Sequence, residues 1–448
     1  MSIDHQSASP RLAPSLGALL HETARCVLAV EQGHSLSEVL PRVPAGMRPG
    51  TQALSFQALR HLGTARAVAQ RLAQRAPAPP VLALLHASLA VLIADEEGLQ
   101  YQPHTVVNQA VDAAKLARET RMQAGFLNAC LRRFLRERRT LLESVAQDPV
   151  ARWNHPRWWI ERLQRDHPDH WQTILQASNL PGPMVLRVNR RLVARDAYAR
   201  TLSDLGLETQ ALGEDGLVMS TPLPVDRLPG FAQGHCSVQD GAAQLAAGLL
   251  LDGREWSAND RVLDACAAPG GKTAHLLERA DLDLLALDVD AQRCERIHDN
   301  LRRLGFQAEV KAADAGQPDT WWDGRPFNAI LLDAPCTAAG IVRRHPDVRW
   351  LRRATDVEQL VAIQRRLLDT LWPLLKPGGR LVYCTCSVFH AEGQDQVRAF
   401  LERHTDAVLA PSPGHLLPGT AAPGGEFNDN EPGGYDGFYY ARLDKALP

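Results

Sequence analysis

Residues 264–273, Asp-Ala-Cys-Ala-Ala-Pro-Gly-Gly-Lys-Thr, constrain the fold more than any other stretch of this chain. The run Arg261-Val262-Leu263 enters it, and a helix-like run over 273–280 leaves it. A short strand, a tight Gly-rich turn and a helix make the opening βα unit of a nucleotide-binding sheet. Gly270 and Gly271 lack the Cβ atoms that would keep backbone away from a ligand. Pro269 stiffens the turn. Lys272 puts a positive charge in the first helical turn, where unpaired N–H groups already favour an anion. The ending Gly271-Lys272-Thr273 imitates a P-loop, but Cys266 stands where that motif needs its first glycine, and G-x-G-x-x-G is absent. A turn with no ligand at all is the competing explanation for this loop taken alone.

The next strands weaken that explanation. The runs 284–287, 307–312, 327–332 and 380–383 are apolar or strand-like and alternate with helical patterns, as in a doubly wound parallel sheet. Each is followed by chemistry-bearing residues: Asp288, Asp314, the stretch 333–336 (Asp-Ala-Pro-Cys), and the stretch 384–387 (Cys-Thr-Cys-Ser). Ligands of such sheets bind beyond the carboxyl ends of the strands. Asp288 follows Gly270 by about the 20-residue offset at which an acidic side chain reaches ribose hydroxyls. Asp314 is placed to approach an adenine, although helix capping accounts equally well for each aspartate alone. Carboxylates here would repel a phosphorylated cofactor. S-adenosylmethionine, a nucleoside with a small carboxylate tail, fits the whole set.

The chain has 448 residues, enough for about three domains, and a net charge of −2 that says nothing about a nucleic-acid partner. Its polar start, its eight scattered cysteines and the lack of any apolar run of membrane-spanning length suggest a reduced, cytoplasmic protein. Residues 1–10 read as disordered. Five helices are expected over 15–31, 55–74, 80–94, 106–119 and 124–138, with the stripe Val81, Leu84, Leu85, Ser88 and Leu89 suited to a bundle. Residues 1–150 hold sixteen Lys and Arg against twelve Asp and Glu, a net of +4. The excess lies at Arg132, Arg133, Arg136, Arg138 and Arg139, a solvated helix face or one that contacts phosphates. Residues 146–236 change to short strands, Gly/Pro turns and a tryptophan trio, Trp153, Trp158 and Trp159, better suited to packing a small core than to stacking on bases. The expected divisions are therefore a helical domain over 1–145, a small α+β module over 146–236 and a nucleotide-binding α/β domain over 237–448. Within the last, 411–434 reads as a long loop and 435–442 as a closing antiparallel edge strand.

Cysteines at two strand ends suggest covalent chemistry. C5 of a pyrimidine is too poor a nucleophile to attack a methyl sulfonium. A thiolate added to C6 turns C5 into an enamine carbon that accepts the methyl group, after which the C5 proton and the thiolate leave. Asp333 is placed to hydrogen-bond the base. A Cys₄ zinc site at Cys266, Cys336, Cys384 and Cys386 lacks paired knuckles, so no metal is expected. A redox pair at Cys384 and Cys386 lacks the usual spacing.

These stretches, with Arg343-Arg344-His345-Pro346, resemble the RNA cytosine-C5 methyltransferases of the Sun (Fmu) type over about residues 237–443. Val106 to Val111 and Gly125 to Arg133 loosely resemble the helical RNA-binding domain of the antitermination factor NusB. The resemblance implies a Rossmann-like S-adenosylmethionine-dependent catalytic domain behind a NusB-like bundle. It implies 16S ribosomal RNA, naked or early in assembly, as substrate and partner. It places cofactor contacts at Cys266, Ala267, Ala268, Pro269, Gly270, Gly271, Lys272, Asp288, Asp314 and Asp333, makes Cys386 the nucleophile, and gives Cys336 a part in releasing the product. Arg343, Arg344 and His345 are then expected to grip phosphates beside a flipped-out cytosine, and Arg132, Arg133 and Arg136 to contact the RNA from the helical domain. In two places the sequence departs from the family: Thr337 stands where serine is frequent, and Glu392 is followed by Gly393 where the family often has Glu-Asn. A catalytically silent assembly factor, or an enzyme acting on another RNA such as tRNA, are the alternatives.

Overall fold

A computed structural model describes residues 13–94, 101–419 and 435–447. The disorder expected over 1–10 and the part of the expected loop over 420–434 lie outside the described residues. The chain divides into two compact units, 1–160 with 345–351, and 161–344 with 352–448.

The first unit is helical. Its main helices are Leu16–Glu31, Arg48–Arg60, Leu62–Leu72, Pro79–Ile93, Pro103–Leu116 and Ala124–Val145. The expected stripe on Pro79–Ile93 is buried at all five positions. The single helix expected over 55–74 is two, broken at His61, and the first begins seven residues earlier than foreseen. Pro49 sits in its opening turn, where a missing N–H costs nothing. Pro103 opens its helix in the same way. Trp153 and Trp159 are buried.

Residues 345–351 complete this unit, although they come from far along the chain. Trp350 donates its indole N–H to the Leu59 carbonyl at 2.8 Å, and the Arg66 guanidinium lies over its ring. The Asp347 carboxylate accepts from the Leu36 N–H at 2.9 Å, and buried Arg349 donates to the Asn154 carbonyl.

The second unit holds two sheets. Strands β1 (Met184–Val188), β2 (Thr209–Leu212), β3 (Gly216–Met219) and β4 (Cys236–Val238) form an antiparallel sheet of order β2-β3-β1-β4. The remaining strands are β5 (Arg261–Asp264), β6 (Asp283–Asp288), β7 (Glu309–Ala312), β8 (Phe327–Asp333), β9 (Leu375–Thr385), β10 (Ala407–Leu416) and β11 (Phe438–Lys445). They form one sheet of order β10-β11-β9-β8-β5-β6-β7. β9, β8, β5, β6 and β7 run parallel. From β5 the chain builds outward through β6 and β7, then returns to the other side of β5 for β8 and β9. That reversal opens a crevice at the carboxyl ends of β5 and β8. The buried residues of β5, β6, β8 and β9 divide between two apolar clusters, as expected for a sheet covered on both faces.

Two expectations at the C-terminal end fail. Residues 411–416 belong to β10, although Pro411, Pro413 and Gly414 read as loop. They lie on the sheet's outer strand, where proline costs no ladder bond, and the register shifts between Ala410 and Gly414. β11 is antiparallel as expected, but it lies between β9 and β10 and is not an edge.

Candidate active site

A cavity of about 630 Å³ lies at that crevice, lined from five of the strand ends. The loop after β5 supplies Cys266, Ala268, Pro269 and Lys272; the other strand ends supply Asp288, Asp314, Asp333, Cys336 and Cys386. Ala267, Gly270 and Gly271 support the loop without lining the cavity. Gly270 turns the chain at φ +93°, and a Cβ there would press on Ile297 at 3.1 Å. The helix Gly271–Arg279 starts from that turn. Behind it, Arg187 of β1 makes a bidentate pair with Glu278 at 2.7 and 2.8 Å and donates to the Gly271 carbonyl at 2.7 Å. Both charged side chains are buried, so the small sheet braces the loop. Asp264 is wholly buried under the same loop and accepts from Thr273 at 2.7 Å. Burial pushes its carboxyl up to about 7.

Each charged residue has a partner that sequence reading did not foresee. Lys272, expected to attract an anionic ligand, donates to Asp333 at 2.7 Å: the anion beside it is the protein's own. Asp288 accepts from the N–H groups of Ala268 and Asp290 and pairs with Arg293 at 3.3 Å. Asp314 accepts from the Gly316 N–H and pairs with Arg366 at 3.2 Å. The cavity mouth is therefore of mixed charge, and its aspartates repel a phosphate less than their sequence suggests. Carboxylate oxygens accept more than one hydrogen bond, so Asp288 retains capacity for a ribose hydroxyl. Apolar walls come from Val289, Ile341, Ile363, Leu367 and Phe438, none of which the sequence singled out. Val289 stands 72% exposed at the mouth. Acidic acceptors beside an apolar wall fit a nucleoside cofactor.

The two cysteine loops meet at one wall. Asp333 of β8 is paired in register with Cys384 of β9, and the loops beyond bring the Cys336 and Cys386 sulfurs to 3.4 Å. Both cysteines are free and half-buried. Cys384, fully buried, points its thiol at Asp333 at 3.5 Å. The Cys336 thiol is pushed far up, chiefly by its hydrogen bond with Cys386, then by burial and by the charges of Cys386 and Glu392. Ala338, just beyond, holds φ +60°, and the Gly340 N–H donates to the Cys386 carbonyl at 2.9 Å. Among the described residues, no group of three or more His, Cys, Asp or Glu is arranged to hold a metal ion.

The expected phosphate-gripping loop is used otherwise. Arg343 is only 3% exposed and its guanidinium is held by Asp436, itself fully buried. Arg344 reaches Asp436 at 2.5 Å and Asp240 at 2.9 Å. The loop's cations neutralise buried carboxylates, which corrects the expectation for Arg343 and leaves Arg344 largely engaged; His345 alone of the three is exposed. In the helical unit Arg132 and Arg136 are exposed, and Arg133 pairs with Glu137 at 2.9 Å.

A parallel sheet with a Gly-rich turn after its central strand, acidic residues at successive strand ends and a nucleoside-sized cavity between them defines a Rossmann-like methyltransferase. A family model described as 16S rRNA methyltransferase RsmB/F matches residues 252–444, and a model for the ferredoxin-like domain of such proteins matches 155–226. The chain is 40% identical to ribosomal RNA small subunit methyltransferase B of Vibrio cholerae, over 97% of this chain and all of that one. It is 41% identical to the Salmonella typhi protein of the same description, over 93% of this chain and 96% of that one. The chain belongs to the 16S rRNA methyltransferase RsmB/F family. Among solved structures, a methyltransferase homologue from Pyrococcus horikoshii shares 26% identity and superposes with a TM-score of 0.55, covering 66% of this chain and 98% of that one. The protein PH0851, at 24% identity, superposes with a TM-score of 0.72 over 95% of this chain and 99% of that one, which speaks for the fold.

Proposed function

We propose that this protein methylates C5 of a cytosine in 16S ribosomal RNA, using S-adenosylmethionine and a covalent adduct between Cys386 and C6 of the base. The observation that carries this reading is the pair of half-buried thiols 3.4 Å apart on the cavity wall, with Asp333 beside them. S-adenosylmethionine in the cavity would supply the methyl group. Asp288 is then available to the ribose and the wall around Val289 to the adenine.

The two thiols differ in their surroundings. Lys272, paired with Asp333 at 2.7 Å, lines the same cavity as Cys386. The Cys336 thiol is pushed up, chiefly by its hydrogen bond with Cys386 and then by burial. The family's Thr-Cys motif, here Thr385-Cys386, makes Cys386 the attacking thiolate in this reading and Cys336 the thiol that stays near the adduct until it breaks. Asp333, the carboxylate paired with Lys272, accepts from the amino group at the polar edge of the ring and orients the base as the sulfur adds.

The test separates the cysteines. Cys386→Ala should abolish methylation and leave no covalent RNA, whereas Cys336→Ala should attack, transfer methyl and stall with RNA attached. Denaturing electrophoresis reads the difference as a shifted protein–RNA band for Cys336→Ala alone. The reverse pattern would make Cys336 the nucleophile, and full activity in both variants would end the covalent reading.

A further inference from the structure

We propose that Glu392 is a positioning residue that sets the spacing of the two site thiols by tying their loops to one carboxylate. Glu392 is completely buried and lines no part of the cavity. One of its carboxylate oxygens accepts from the Thr337 N–H at 2.8 Å and from Gln364 at 3.2 Å. The other accepts from the Thr337 hydroxyl at 2.5 Å and from the Ser387 hydroxyl at 2.6 Å. Thr337 directly follows Cys336, and Ser387 directly follows Cys386. A single side chain thus fixes the residue beyond each thiol.

The surrounding bonds make the clamp rigid. Gln364, on the helix Ala354–Leu371, also donates to the Pro335 carbonyl at 2.9 Å, so the backbone is held on both sides of Cys336. The Glu392 carbonyl accepts from the Tyr383 hydroxyl at 2.8 Å and from Thr385 at 3.2 Å, which anchors it to the end of β9. Gly393 follows because a Cβ there would lie 2.7 Å from both His415 and Tyr439, leaving no room for a larger residue. Four hydrogen bonds converge on the carboxylate. An alanine in its place would leave the Thr337 N–H and the Gln364 amide without their acceptor, and a buried donor left unpaired moves a loop before it is tolerated. Displacing a reacting group by about 1 Å costs on the order of 100-fold in rate.

The proposal rests on the covalent reading above, but its geometry is tested without methylation. Phenylarsine oxide joins two neighbouring thiols through one arsenic, with loss of water, and both then resist alkylation. Wild-type protein should take up one arsenic and protect Cys336 and Cys386 together, read by mass spectrometry after alkylation. Glu392→Ala should lose that bridging and lower kcat by about 10–100-fold, with KM for RNA and affinity for S-adenosylmethionine within about threefold of wild type. Thr337→Ser, which keeps the hydroxyl, should bridge and methylate as wild type does. Should Glu392→Ala fail to fold, Thr337→Val and Ser387→Ala each delete one arm of the clamp, and their effects on kcat should be non-additive. Intact bridging with wild-type kcat in these variants would overturn the proposal, as would a parallel loss of cofactor affinity, which marks a merely structural role. If bridging depends on Glu392 while both cysteine variants methylate normally, the clamp stands and the covalent reading falls.

Discussion

The helix Ala124–Val145 and the loop beyond β8 each carry adjacent arginines, Arg132-Arg133 in one and Arg343-Arg344 in the other. On the helix Arg132 and Arg136 stand in solvent and Arg133 leans on a carboxylate one turn away. In the loop Arg343 is buried against Asp436, and Arg344 bridges Asp436 and Asp240. The difference is made by distant acids, one of them 93 residues further along the chain. A run of cations in a sequence is therefore an RNA-binding face only where the fold has left it without such acids.

The largest expected effect breaks the buried pair. Arg343→Ala leaves Asp436 buried with one guanidinium fewer and should cost about 3–5 kcal/mol of stability, read from the urea midpoint. A loss below about 1 kcal/mol would show that Arg343 is no structural ion and return it to the RNA. Arg344→Gln should cost less, about 1–2 kcal/mol, because part of that side chain is already solvated. If RNA affinity falls further than stability does, Arg344 serves both ends. Replacing Arg132, Arg136 and Arg139 with Gln should change stability by no more than about 0.5 kcal/mol. Binding to 16S RNA should weaken, with the salt dependence flatter by about 1 in slope for each phosphate that is no longer neutralised. An unchanged slope would make the helix face merely solvated and erase the contrast.

Much of the site could be read from the chain because a parallel sheet converts sequence order into place. A residue just after an apolar run is at a strand end, and all the strand ends of a doubly wound sheet face one crevice. Asp288, Asp314, Asp333, Cys336 and Cys386 were legible on that ground, and so was their meeting. What stayed hidden was pairing at long range. Nothing in the letters ties Lys272 to Asp333, Arg187 to Glu278 or Glu392 to Thr337, since each bond depends on how separate loops pack. Glu392 drew notice only as half of an altered motif, because a buried carboxylate and an exposed one are spelled alike. The strand at 407–416 was hidden by its prolines, whose cost vanishes on an outer strand. The split of one expected helix at His61 and the true owner of residues 345–351 were invisible for the same reason: both are decided by tertiary packing.

That last segment bears on how the protein comes into being. Synthesis is vectorial, and at roughly 5–20 residues per second the interval from Ile160 to His345 lasts on the order of 10–40 s. Through that time the nascent helical unit lacks Asp347, Arg349 and Trp350, and the Leu36 N–H and the Leu59 carbonyl await partners that have not been translated. The unit that emerges first from the ribosome is thus among the last to be finished. A fragment ending at residue 160 lacks part of its own interior.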